Sequence, residues 1–217
     1  MTPGVARRVV ASAALIAAAA PGFTPARYLG GGAPAIPVQA VSGGEVFVEA
    51  TVDASGLVTD VTPLRVAPPF TDAVVNAVRG WTFTPAIDAS RSDLPARSVP
   101  TKVLVAAIFR PPALNAPTLG ASPTNVAAPS AEVAAPLSTG APPSFPPNAL
   151  DSGTVLLECH IGTAGQVLAT KVLLSSPPFD RFALDAVRRW TFRPARRGTQ
   201  PIDAYTYVSF AFRQPVT

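Results

Sequence analysis

The chain has 217 residues, a net charge of +4 and only 14% charged side chains, with 26 prolines. That length allows one or two small domains, and the apolar, proline-rich composition excludes a charged disordered polymer. A single cysteine, Cys159, and a single histidine, His160, exclude an internal disulfide, a cysteine-rich metal site and any multi-histidine site.

In chain order, Arg7 and Arg8 precede an apolar, alanine-rich run from Val9 to Ala20, which Pro21 and Gly22 interrupt. A basic start followed by a short apolar run is the pattern of a secretory signal; a membrane-spanning helix needs about 17–25 apolar residues. Residues 1–26 are therefore read as a signal peptide or short anchor. This implies export across the cytoplasmic membrane, or anchoring in it if residues 9–20 are retained. Residues 27–42, with Gly30-Gly31-Gly32 and two prolines, read as a flexible leader.

Residues 44–86 and 153–195 repeat one another at a constant offset of 109, with 17 of 43 positions identical. The spacing is too long for a solenoid and predicts two tandem domains, 43–110 and 148–217. In each, period-two alternation predicts a half-buried antiparallel strand. One face carries Val46, Val48, Ala50 and Val52, repeated as Val155, Leu157, Cys159 and Ile161. A turn at Gly56 or Gly165 leads to a second strand, about 58–66 and 167–175. Pro63 makes this strand irregular, as at an edge or bulge. A helix follows Pro68-Pro69 and Pro177-Pro178. Its apolar stripe is Phe70, Val74, Val78 and Trp81, repeated as Phe179, Ala183, Val187 and Trp190. A polar loop and a last strand, about Pro100–Phe109 and Ala204–Phe212, complete each unit. The expected fold is α+β: two β-β-α-β domains, each a three-stranded antiparallel sheet with a helix on one face. Residues 111–147 hold ten prolines and predict a semi-rigid linker.

The run Ala77-Val78-Arg79-Gly80-Trp81-Thr82-Phe83-Thr84-Pro85-Ala86 and its counterpart Ala186–Ala195 resemble the C-terminal domain of TonB-family proteins. So do Ser175-Ser176 at a strand end and Phe145-Pro146-Pro147-Asn148-Ala149 ahead of the first strand. The first copy is more diverged, with Ala67 at the serine position and Ile36-Pro37 ahead of its strand. The resemblance implies a periplasmic domain that binds a short extended segment of outer-membrane transporters. It also implies energy input through an N-terminal membrane helix and a proton-driven motor. Val9–Ala20 is short for that helix and lacks its usual histidine.

No acid pair, triad or ligand cluster recurs between the copies. No catalytic, cofactor-binding or metal-binding residue is assigned, and the chain is read as a non-enzymatic binding protein without a cofactor. Trp81, Trp190 and Cys159 read as core, and His160 as an outward polar residue. A three-stranded sheet leaves rims. The last strand of each copy is the expected acceptor of an extended peptide, through Val103, Val105 and Ala107 or Tyr205, Tyr207 and Ser209. Arg189, Arg193, Arg196 and Arg197 form a basic patch suited to an anionic envelope polymer or lipid. Expected partners are outer-membrane or envelope protein segments, such an anionic polymer or lipid, and a second copy of the chain. Nucleic acid is not expected, because no aromatic-interleaved basic motif accompanies the charge. A membrane-anchored energy transducer for outer-membrane transport and an envelope scaffold are the alternative readings.

Overall fold

A computed structural model describes residues 22–38, 40, 42–110, 123–139 and 143–214; the expected signal run, 9–20, lies outside them. Two short strands come first, β1 (Phe23–Thr24) and β2 (Arg27–Gly30). The first copy follows as β3 (Gly44–Val52), β4 (Val58–Val66), α1 (Phe70–Arg79), β5 (Thr82–Thr84), β6 (Ala86–Asp88), β7 (Arg97–Val99) and β8 (Thr101–Phe109). The connecting region holds β9 (Thr124–Asn125) and β10 (Ala135–Ser138). The second copy is β11 (Gly153–Ile161), β12 (Val167–Leu174), α2 (Asp180–Val187), β13 (Thr191–Arg193), β14 (Ala195–Arg197), β15 (Gln200–Ile202) and β16 (Ala204–Phe212).

Each copy has the expected β-β-α-β order and an antiparallel three-stranded sheet, β4-β3-β8 and β12-β11-β16. The apolar stripe buries Phe70, Val74 and Val78 in α1, and Phe179, Ala183 and Val187 around α2. The recurring glycines have a steric cause. Gly56 and Gly165 sit at φ +91° and +81°, and a Cβ there would lie 2.0 Å from the Phe83 carbonyl oxygen or 2.1 Å from that of Phe192. Only glycine fits a left-handed turn pressed against backbone.

The two copies do not stand apart. Their last strands, β8 and β16, pair with each other in parallel, from Thr206 opposite Leu104 to Ala211 opposite Phe109. The result is one seven-stranded sheet in the order β12-β11-β16-β8-β3-β4-β9. Side-chain alternation puts the helices on opposite faces. One core joins α1, Val48 and Val105 to Leu156, Tyr207 and Ala211 of the second copy. The other joins α2, Leu157 and Val208 to Phe47, Leu104 and Ala106 of the first. The arrangement is that of a two-fold axis running along the central strands, which preserves strand direction and exchanges the faces.

The described parts of the leader and linker are also built into the fold, which corrects the expectation of a flexible leader and a simple spacer. β1 pairs with β6, so Phe23–Thr24, expected within the signal or anchor at 1–26, are part of the fold; β2 of the expected leader pairs with β5. In the same way β10 pairs with β13. Within these segments Ala26, Ala40, Val133 and Ala134 are buried. Each segment covers the sheet face that lacks a helix in one copy. That face would otherwise expose Phe47, Leu104, Leu156 and Tyr207.

Candidate functional site at the sheet rims

The rim expected to receive a partner is closed. Val103, Val105 and Ala107 in β8 are buried between β3 and β16, with Val105 opposite Tyr207 and Ala107 opposite Ser209. Tyr207 and Ser209 are equally buried. Tyr205 stacks on His160 at 4.9 Å and lies beneath the Arg27 guanidinium. The expected strand addition at β8 or β16 is therefore corrected: each strand has already taken the other. The pairing is not a loose latch. Exposing even half a dozen of these apolar side chains costs on the order of 10 kcal/mol, as much as the whole stability of a typical domain.

Tyr207 explains how one copy anchors in the other. Its ring meets Trp81, Phe83 and Tyr28 at centroid distances of 5.6 to 6.0 Å. Its hydroxyl accepts the Tyr28 backbone N–H at 2.9 Å. Burial pushes that phenol well above its ordinary pKa, and the Glu158 carboxylate adds to the shift.

The expected basic patch is dispersed into structural contacts. Arg193 donates to the carbonyls of Pro129 and Ser130 in the linker. Arg196 donates to the Thr199 carbonyl across its hairpin. Arg197 pairs with Asp88 of the first copy at 2.7 Å and covers the Phe23 ring. Arg189, just beyond α2, is exposed, as are Arg196 and Arg197, whereas Arg193 is half-buried.

Sequence reading passes over a recurring pair of buried acids. Glu49 and Glu158 occupy equivalent positions at 6% and 4% exposure. Glu49 accepts from Lys102 at 2.7 Å and from the Ser130 backbone N–H at 2.8 Å. Burial pushes the Glu49 carboxyl up, but these bonds outweigh it and hold it below its ordinary range. Glu158 accepts from Arg27. Each acid thus pins a covering segment, linker or leader, to the face it covers. The signal lies in the repeat itself: a glutamate kept in both copies on an otherwise varied strand face.

Cys159 is fully buried, and desolvation pushes its thiol up to about 12. A thiol reagent is expected to leave the native chain unmodified and to react only after denaturation; rapid modification of the native protein contradicts this core placement.

Among the described residues, one long rim stays open. β12 pairs with β11 on one side and has no partner strand on the other. It lacks proline, carries one charge, Lys171, and exposes Leu168 at 43% and Leu174 at 45%. The opposite rim is blunted in the ways that discourage strand pairing. β4 contains Pro63, Asp60 and Arg65, and β9 covers Arg65 and Val66.

No helix among the described residues is long and apolar enough to cross a membrane. Residues 141–214 match the family of the Gram-negative bacterial TonB protein C-terminal domain. A stretch of 63 residues is 38% identical to a Pseudomonas aeruginosa protein, "Protein tonB2". That stretch covers 28% of this chain and 23% of that relative, so the chain spans about a quarter of the relative's length. The family match falls on the second copy, the one whose sheet carries the open rim.

Proposed function

We propose that this chain is an exported, non-enzymatic TonB-type protein of the periplasm. In this reading it recognises extended segments of outer-membrane transport proteins by adding them as a strand to β12. The observation that carries it is the asymmetry of the rims: the last strands are consumed by each other, β4 is capped and proline-broken, and β12, eight residues long, has no strand on its outer side among the described residues. Backbone hydrogen bonds supply generic affinity in such additions, and the side chains around the rim supply choice. The TonB C-terminal match over 141–214 supports the transport setting. An anionic-polymer scaffold is less favoured, because three of its four arginines are held by contacts within the chain.

The test uses synthetic peptides from the periplasm-facing N-termini of outer-membrane transporters, with binding followed by fluorescence anisotropy. Successive backbone N–H groups of a strand point to opposite sides, so one of Ala169→Pro and Thr170→Pro removes a rim donor and leaves the β11 ladder intact. That variant is expected to keep its melting temperature and lose at least tenfold in affinity. Binding that survives both variants sinks the β12 reading.

A further inference from the structure

We infer that the rim of β12 takes its partner segment antiparallel, seated on Leu173 and Leu174, with an aliphatic side chain facing Leu174. This rests on the strand-addition reading above and adds direction, position and chemistry to it. The molecule holds its own template for the seat. The offset of 109 carries Leu64, Arg65 and Val66 of β4 onto Leu173, Leu174 and Ser175. On β4 that seat is filled. Asn125 lies opposite Arg65 and Thr124 opposite Val66, antiparallel, and the Val126 N–H donates to the Leu64 carbonyl at 2.9 Å. The segment continues through Ala127 and Ala128 along a groove of about 490 Å³ walled by Phe47, Leu64 and Leu104.

The backbone of the two seats is alike. Register breaks between Phe47 and Val48 opposite Arg65 and Pro63, and again between Leu156 and Leu157 opposite Leu174 and Val172. The register irregularity that skips Leu64 is therefore repeated at Leu173. A rim of this shape accepts an antiparallel strand, because its counterpart already does.

The side chains differ, and the difference sets the choice of occupant. In the first copy the seat is polar: the Arg65 Nε donates to the Asn125 Oδ1 at 2.9 Å, and the guanidinium pairs with Glu45. In the second copy Leu174 replaces Arg65 and Thr154 replaces Glu45. An asparagine opposite Leu174 loses its charged donor, whereas an aliphatic residue covers a leucine that is otherwise half exposed. Cross-strand pairs of this kind are the unit of sheet selectivity. Lys171 at the middle of the rim also disfavours self-pairing of two β12 strands in registers that oppose the two lysines, so a foreign strand suits it better than a second copy.

The experiment titrates the ¹⁵N-labelled chain at millimolar peptide with Ser-Pro-Thr-Asn-Val-Ala-Ala-Pro and with the same peptide carrying Leu in place of Asn. The Leu peptide is expected to shift the amides of residues 171–175 and to bind several-fold more tightly than the Asn peptide. A nitroxide at its N-terminus is expected to broaden Ser175 and Ser176, and one at its C-terminus to broaden Ala169 and Thr170. In the double variant Thr154→Glu/Leu174→Arg the preference reverses toward Asn. Equal binding of both peptides, binding of neither, the opposite broadening pattern, or rim amides already protected before peptide is added each overturns the inference. A peptide that lies parallel on β12 overturns it and leaves the broader strand-addition reading standing. Loss of transporter-peptide binding from β12 removes that reading itself.

Discussion

Replacing Tyr207 with alanine is expected to destabilise both copies together, by about 3–5 kcal/mol, as for other buried aromatic truncations. The residue belongs to β16 of the second copy, yet its ring is packed against Trp81 and Phe83 of the first and against Tyr28 of the leader. Truncation empties a space bordered by these three rings and leaves the Tyr28 N–H without its acceptor. The sheet is continuous through β8 and β16, so the loss is shared rather than confined to residues 148–217. Thermal unfolding watched by tryptophan fluorescence reports Trp81 and Trp190, one in each core. A single transition moved down as a unit is the expected result. Two transitions, with only one of them moved, contradict the shared core.

Gly165→Ala is expected to cost about 3–5 kcal/mol, combining a positive-φ penalty of about 1–3 kcal/mol with a comparable cost of overpacking. The added Cβ would lie 2.1 Å from the Phe192 carbonyl oxygen, an atom fixed in backbone that cannot swing aside. Gly56→Ala meets the same obstacle at Phe83, so the two variants are expected to behave alike in urea denaturation. Gly198→Ala is the internal control. Its φ is +60°, but nothing lies within 4 Å of the place its methyl group would take, so only the dihedral penalty applies and a much smaller loss is expected. Equal losses at Gly165 and Gly198 would show that crowding against Phe192 plays no part.

The local architecture is legible in the sequence because local physics sets it. Alternation marks β3 and β11, the apolar stripe marks α1 and α2, and the burial of Trp81, Trp190 and Cys159 follows from their place on those patterns. The joining of the copies is harder to read, since pairing between residues about 100 positions apart leaves no periodic trace. One trace does exist. Val103 to Phe109 is an unbroken apolar run, and a strand buried on both faces reads that way, whereas a rim strand alternates. Taken at face value, that run places β8 inside a sheet, and a parallel neighbour suits it. The leader and linker mislead for a related reason. Proline-rich composition suggests a spacer, but Pro34, Pro37 and Ala40 recur at the same offset as Pro143, Pro146 and Ala149, so the repeating unit begins ahead of the first alternating strand. The arginines of the second copy look like a patch only when sequence neighbours are counted. In the fold Arg193 reaches the linker and Arg197 reaches Asp88, in different directions.

Native-state hydrogen exchange across β8 and β16 tests the shared sheet most directly. A strand bonded on both sides protects successive amides, whereas a rim strand protects every second one. The account predicts unbroken slow exchange from Leu104 to Ile108 and from Tyr207 to Phe210. An alternating fast-and-slow pattern along either stretch would contradict it.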